Sequence, residues 1–428
     1  MVMMTTTQPV IPRGARSYRR PMEGLRVALF GTFYPETTMA GNSSTGFATA
    51  LVMSKGLASV IIFAQFGASL PEGEMWSKAR LIPCWNHNDP ISLIRALRIL
   101  LTESPNVDGF LFNTYVTGFG RAATANVVGL LIPPLLRLLT HKPVTVYMHN
   151  FLETQDAVHL GYRPSFVQRC GVRLLERLML HSTQVVVPLE SQAATISRLF
   201  HIVPKRIFIP FNEPFGLIAS RGEPQIRPLS VSHAPTKILL LGNWGPQKDL
   251  TGALQALLAA RERGGSFAVS LTGIVNPHFP RYQSELETLS RTLGSDLFHF
   301  LGKVPENEMI SLVNEHDLLI LPYNATGGYS GAMSLGAYCG IGIISYDLPQ
   351  LRETAKELGV EPVFLPKGDI DALAKAILSF CSGVQTFRKW RDSFPKPEYD
   401  AQVREGVIQL VETLCSSRDT ARVCGRDA

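Results

Sequence analysis

The sequence predicts an α/β protein built from two Rossmann-like domains in series, facing each other across a cleft. Short runs rich in Val, Ile, Leu and Phe recur along the chain, separated by helical stretches. That is the pattern of buried parallel strands in βαβ units. The alternation breaks between Asn212 and Pro235, where Pro, Ser, Gly and Arg take over, and then restarts. A chain of 428 residues, 45% apolar and 18% charged, has ample core for two such units.

The first half opens with the strand LRVALFGTF (Leu25 to Phe33). A turn rich in Gly, Asn and Ser follows, then a helix from about Thr45 to Lys55. SVIIFAQF (Ser59 to Phe66), GFLFNTY (Gly109 to Tyr115), VTVYMHN (Val144 to Asn150) and QVVVPLE (Gln184 to Glu190) supply further strands. The second half restarts at KILLLGNW (Lys237 to Trp244). It continues with FAVSLTG (Phe267 to Gly273), HFLGKV (His299 to Val304), DLLILPY (Asp317 to Tyr323), GIIS (Gly342 to Ser345) and VFL (Val363 to Leu365). Helices are expected over Thr251 to Glu262, Arg281 to Leu293, Pro305 to Glu315 and Ile370 to Ser382. The stretch from Phe387 to Cys415 reads as a helix that crosses back over the first domain. The expected organisation is a basic tail at 1–24, a first domain at 25–211 and a linker at 212–235. A second domain follows at 236–385, then a crossover helix at 386–415 and a tail at 416–428. Ligands of open α/β sheets sit outside the carboxyl ends of the strands, so the cleft is the expected site.

Composition narrows the function classes. The net charge is +6 and the pI about 9.0. Such an excess suits a phosphate-rich ligand, an anionic membrane face or nucleic acid. No basic-aromatic stripe or recognisable module supports nucleic acid. Mean hydropathy is +0.10, but no apolar run reaches the roughly 18 residues of a membrane span. The nearest candidate, VVGLLIPPLLRLLT (Val127 to Thr140), holds Pro133, Pro134 and Arg137 and fits a buried helix or a membrane-facing surface better. The first residues carry Arg13, Arg16, Arg19 and Arg20 among Thr, Pro and Gly, without the apolar core of a signal peptide. The six cysteines, Cys84, Cys170, Cys339, Cys381, Cys415 and Cys424, never stand at CxxC spacing, so reduced thiols of a cytoplasmic protein are expected, with no metal site. Neither GxxxxGK[ST] nor GxGxxG occurs, which argues against a P-loop and a dinucleotide fingerprint.

The most informative stretch is LPYNATGGYSGAMSLGAYCGIGIISYDLPQLRE (Leu321 to Glu353), which reads as strand, glycine-rich turn, helix and strand. Gly327, Gly328 and Gly331 crowd the turn, and Ser330 stands where a helix N-cap belongs. A helix starting there points unpaired N–H groups and the positive end of its dipole at whatever sits above the turn, and a phosphate is the natural occupant.

The order of the second half resembles the donor-binding domain of glycosyltransferase family 4, which has the GT-B fold. The resemblance covers roughly residues 25 to 385 and is most specific from Lys237 to Ile377. In LLGNWGPQKDL, Lys248 matches the family lysine that contacts the donor diphosphate. Gly242 precedes it, and Asn243 stands where the family usually has arginine. FHFLGKVPENEMISLVNEHDLLILPY resembles the turn, helix and strand before the donor loop, which would place Gly302 and Lys303 near the nucleotide base. PKGDIDALAKAI resembles the closing element, with Ile370, Leu373 and Ile377 as core. The family commonly carries two glutamates, in the pattern EGFG followed by EAMACG. Aligning Cys339-Gly340 on that CG puts Gly327 and Leu335 at the two carboxylate positions, so both are absent here. What remains, GGYSGAMSLGAYCG, offers Gly328, Tyr329, Ser330 and Gly331 to the donor.

In the first half, FGTFYPETTMAGNSSTGFATAL resembles the family's first strand and flexible glycine-rich loop. Gly41, Asn42, Ser43 and Ser44 would then form a cleft loop approaching donor or acceptor. His149 ends the strand VTVYMHN, where the family often places a histidine near the transferred sugar. It is the catalytic candidate; Asn150, Glu153 and His159 are weaker ones. FVQRCGVRLLERLMLHS (Phe166 to Ser182) sets Val172, Leu175 and Met179 against Arg169, Arg173 and Arg177 at helical spacing. That pattern serves a packed helix with a solvated basic face, or a peripheral contact with the cytoplasmic face of an anionic membrane. The resemblance implies a glycosyltransferase that moves a sugar from a nucleoside-diphosphate donor to a hydroxyl of a glycan, lipid-linked or small-molecule acceptor. It implies retention of configuration and needs no cofactor. A non-catalytic subunit that keeps the fold is the alternative, favoured by the missing glutamates and by Asn243.

Overall fold

The computed structural model describes residues 24–35, 39–54, 56–151, 165–210, 235–275, 279–294, 298–383 and 396–424. The expected tail at 1–24 apart from Gly24, nearly all of the expected linker and the segment 384–395 lie outside them.

The first sheet is seven-stranded and parallel, in the order β3-β2-β1-β4-β5-β6-β7. Its strands are β1 (Leu25–Phe30), β2 (Leu57–Gln65), β3 (Ala79–Trp85), β4 (Gly109–Thr114), β5 (Val144–Met148), β6 (Gln184–Val187) and β7 (Lys205–Arg206). Its helices are α1 (Met39–Met53), α2 (Pro90–Glu103), α3 (Ala123–Thr140), α4 (Phe166–Ser182) and α5 (Glu190–Phe200). One face of the sheet is covered by α1. The other carries α2, α3, α4 and α5, whose inward side chains, such as Leu93, Leu136, Met179 and Ile196, join one apolar cluster.

The second sheet is six-stranded and parallel, in the order β10-β9-β8-β11-β12-β13. It comprises β8 (Thr236–Trp244), β9 (Phe267–Val275), β10 (Phe298–Gly302), β11 (Leu318–Leu321), β12 (Gly342–Tyr346) and β13 (Val363–Leu365). The helices α6 (Leu250–Glu262), α7 (Pro280–Leu293), α8 (Glu306–Asn314), α9 (Gly331–Cys339), α10 (Pro349–Leu358) and α11 (Ile370–Ser382) flank it. Leu373 and Ile377 of α11 are buried with Leu254 and Leu257 of α6. Each fully buried side chain of this kind contributes roughly 1.5–3 kcal/mol relative to exposure. Helix α12 (Lys396–Cys424) returns to the first domain and packs on α1, β4, β5 and β6. The two-domain Rossmann-like architecture and the returning helix are as the alternation predicts.

Four details differ, one being the edge strand β7, two charged residues that make no apolar run. β3 is absent from the strand pattern because Arg80 and Pro83 interrupt its apolar run; it survives as the edge strand, where proline is tolerated. The expected loop at Gly41–Ser44 is helix: α1 begins at Met39, so these residues form its first turns. Ser and Asn favour turns because their side chains compete for backbone groups. Here the Ser43 and Ser44 hydroxyls are instead engaged by Asn113, across from β4. The expected tail from residue 416 is also helical as far as Cys424.

Both sheets reverse strand order beside their first strand, between β1 and β4 and between β8 and β11. Open α/β sheets form a crevice at such a point.

Candidate functional site

At the second switch point, two close approaches depend on missing side chains. A Cβ on Gly273 would lie 1.6 Å from the Gly242 carbonyl oxygen. A Cβ on Gly242 would lie 2.1 Å from Nζ of Lys248. The lysine therefore lies back across the end of β8. Its Nζ stands 4.6 Å from the Tyr323 ring centroid and 5.6 Å from that of Trp244, a cation–π placement. The turn is fixed on both sides. The Lys248 backbone pairs with Tyr323, the Asp249 N–H donates to Pro322 O at 2.6 Å, and the Tyr282 hydroxyl donates to Lys248 O at 2.8 Å. Among the described residues, no carboxylate lies within ion-pair distance of Lys248. Asn243 is exposed, and its carbonyl accepts from Gln247 Nε2.

The loop after β11 leads from Tyr323 to α9. Ser330 caps that helix: its hydroxyl accepts from Met333 N–H at 3.2 Å, and the residue is 3% exposed. Gly331 and Ala332 precede the first intrahelical bond, so their N–H groups face out of the helix end. Gly327 and Leu335 occupy the two expected carboxylate positions. Gly327 O accepts from Gln192 Nε2, and Leu335 is buried in the apolar core. Gly302, at the end of β10, has φ of +65° and accepts a hydrogen bond from Thr272 Oγ1 of β9. Lys303 beside it is exposed.

At the first switch point, His149 leaves the end of β5 and is 2% exposed. Its Nε2 lies 2.7 Å from Asn113 Oδ1 and 3.2 Å from Ser43 Oγ. The Asn113 amide nitrogen donates to Ser43 Oγ at 3.0 Å and Ser44 Oγ at 2.9 Å, which turns its oxygen toward the imidazole. The proton therefore sits on Nε2. Nδ1 is left as a buried acceptor without a hydrogen-bond partner. The ring stacks on Tyr115 at 4.4 Å and meets Tyr147 edge-on at 4.9 Å. Burial holds the imidazole pKa down to about 3, and pushes the Tyr115 and Tyr147 hydroxyls well above their usual value. At neutral pH His149 can accept a hydrogen bond at Nδ1 but cannot serve as a cation. Gly31 lets Ser44 approach, since a Cβ there would lie 2.5 Å from the Ser44 hydroxyl oxygen.

The two half-sites meet. Gln192, buried in the first turn of α5, donates to His149 O at 2.8 Å and to Gly327 O at 3.1 Å. A Cβ on Gly328 would come within 2.8 Å of His149 O, so only glycine lets the loop after β11 approach this closely. Tyr329 lies 6.0 Å from the His149 ring and 5.7 Å from Phe208. Ser191 N–H and Oγ donate to the Glu353 carboxylate, and Arg206 pairs with Glu357.

The structure thus gathers Ser43, Ser44, His149, Gly328 and Tyr329 in one place. It sets Gly242 and Lys248 at the end of β8 beside Tyr323, from which the loop runs to Ser330 and Gly331, and puts Gly302 and Lys303 at a neighbouring strand end. The side chains of Gly41 and Asn42 lie outside the described residues, as do Glu153 and His159. The Asn150 side chain accepts from Val116 N–H, a turn contact. The sequence pattern overlooked Asn113, Gln192 and Tyr323. Asn113 had a signal: it is the one amide in the otherwise apolar run GFLFNTY.

Residues 235–382 match the family described as glycosyl transferases group 1. The second domain is a glycosyltransferase domain. No curated protein matches the sequence. Solved structures match nearly the whole chain. Anabaena Alr3699/HepE in complex with UDP-glucose is 14% identical with a TM-score of 0.61, over 92% of this chain and 100% of that one. Sucrose-phosphate synthase from Thermosynechococcus elongatus is 14% identical with a TM-score of 0.60, over 94% and 98%. The α,α-trehalose 6-phosphate synthase from Burkholderia multivorans is 11% identical with a TM-score of 0.63, over 94% and 98%. These likenesses give the chain the GT-B fold. Within the glycosyltransferase domain lie Gly242, Lys248, Gly302 and the Ser330 cap. His149 and Asn113 are contributed by the partner domain across the cleft.

Proposed function

We propose that the protein transfers a sugar from a nucleoside-diphosphate sugar to an acceptor hydroxyl, with retention of configuration and without a metal ion. The observation that carries this reading is Lys248, held over Tyr323, the residue from which the next loop runs to the open N-terminus of α9. Lys248 and the N–H groups at Ser330, Gly331 and Ala332 would bind the diphosphate. As the anomeric carbon–oxygen bond breaks, negative charge grows on the departing diphosphate, and fixed positive groups stabilise that charge most. The acceptor oxygen forms the new bond, and its proton leaves with the diphosphate. The diphosphate's positive partners are protein groups, which supports metal independence.

Gly302 and Lys303 would face the base. Nδ1 of His149 would accept a hydrogen bond from a hydroxyl of the transferred sugar, beside Gly328 and Tyr329. With Gly327 and Leu335 in the glutamate positions, recognition of the sugar and ribose falls to these neighbours and to backbone groups. The acceptor, a glycan, lipid-linked or small-molecule hydroxyl, would enter from the first domain.

The test is calorimetry with UDP, GDP and ADP, followed by assay of matching nucleotide sugars with and without chelator. Binding and chelator-resistant turnover are expected, with the product's anomeric configuration read by NMR. Absence of binding by every nucleoside diphosphate would sink the donor site. Binding that depends on Lys248 without any turnover would favour the non-catalytic subunit, which the missing carboxylates make the second reading.

A further inference from the structure

We propose that the outer surface of α2, α3 and α4 is a docking face for an anionic lipid bilayer. Most of the large apolar side chains left exposed among the described residues lie on these three helices, which pack side by side on one face of the first sheet. Helix α3 is long and apolar enough to span a membrane by composition, but Leu130, Ile132 and Leu136 are committed to the sheet. Its opposite side exposes Leu138 (65%) and Leu139 (56%). On α4, Met179 is buried in the apolar cluster and Val172 packs against it, as the spacing predicts. Outward stand Phe166 (81%), Leu174 (68%) and Leu178 (44%), interleaved with exposed Arg169, Arg173 and Arg177.

Charge decides what covers this face. No Asp or Glu occurs on α3, and the one acid of α4, Glu176, is buried at 1% exposure. A surface with exposed cations, no exposed carboxylate on α3 or α4, and protruding Leu and Phe is complementary to a negative headgroup layer over hydrocarbon. Arginine suits that boundary, since its stem lies along apolar surface while the guanidinium stays with the phosphates. A second copy of the chain would set the same positive charges against each other. Docking is independent of the donor site and is read without turnover.

The test is co-sedimentation of the full chain with vesicles of phosphatidylcholine alone, or mixed with phosphatidylglycerol. Pelleting with the anionic vesicles only, weakened by salt, is expected. The triple substitution Arg169→Gln, Arg173→Gln, Arg177→Gln should reduce partitioning about a hundredfold, taking about fivefold per cation. The pair Leu174→Ser and Leu178→Ser should also weaken it, with unchanged thermal melting because both side chains are exposed. The proposal is overturned if wild type stays in the supernatant with both vesicles. It is equally overturned if the arginine triple variant pellets as well as wild type, or if the leucine pair only disperses a dimer that binds no vesicle.

Discussion

Oδ1 of Asn113 lies 2.7 Å from Nε2 of His149, while the nitrogen of the same amide is committed to two serine hydroxyls. In this orientation the amide presents its oxygen to Nε2 and so favours one tautomer of a buried imidazole. Asn113 is a positioning residue. Asn113→Asp places an anion beside Nε2 and favours the imidazolium. The His149 pKa should rise from about 3, which NMR titration of the ring measures. Activity at neutral pH should fall as Nδ1 becomes a donor. An unchanged titration would remove Asn113 from this role.

His149 also makes stability depend on pH. In the unfolded chain it takes up a proton near its ordinary 6.5, but in the folded state burial delays protonation to about pH 3. The unfolded state then binds more protons between those values. Stability should fall as pH drops through that window, by up to about 1.4 kcal/mol per pH unit, with no contribution above it. Urea denaturation at pH 7 and pH 5 should show a smaller loss in His149→Gln than in wild type. Equal losses would mean the imidazole is not the group responsible.

Lys248 and Gly242 form one device, since the glycine supplies the space the ammonium occupies. Lys248→Ala removes a charge-assisted contact and should weaken nucleoside-diphosphate binding about 10- to 100-fold. Gly242→Ala keeps the lysine but puts a methyl 2.1 Å from its Nζ. The flexible end of the side chain can move aside, so a smaller loss of affinity is expected. Calorimetry on both variants checks the order, and an affinity unaffected by Gly242→Ala would mean that the seen position of Nζ is not the binding one.

The sequence made the two sheets legible because nearly every strand is a short apolar run bounded by turn residues, and buried parallel strands need little else. The Ser330 cap was legible for a related reason: cap chemistry is local. Gln192 and Tyr323 were not. Gln192 matters because α5 delivers it to a carbonyl from the other domain, a contact across 135 positions of sequence. The Gly41–Ser44 helix was misread because Asn113, distant in sequence, occupies the hydroxyls that would otherwise favour a turn.

Gln192 joins the two domains through one nitrogen, donating to His149 O and Gly327 O. Gln192→Leu keeps the volume and strands two carbonyls, a cost of about 1–3 kcal/mol. The donor loop should then detach from the histidine. Hydrogen exchange should accelerate at Gly327 to Ser330, and kcat/KM should fall. Unaltered exchange in the loop would show that the bridge does not hold it.

Ser330 caps α9, and in the proposed function it also faces an anion; the two duties are separable. Ser330→Ala loses the bond to Met333 N–H and should cost about 0.5–2 kcal/mol of stability. Ser330→Asp keeps a good cap, and its carboxylate also favours the positive helix end. Stability should therefore be retained. That same carboxylate would compete with a diphosphate for the N–H groups of Gly331 and Ala332, so nucleotide binding should be lost. Thermal melting and calorimetry on the two variants separate the duties. Ser330→Asp that still binds a nucleoside diphosphate with wild-type affinity would place the phosphate elsewhere than the α9 terminus.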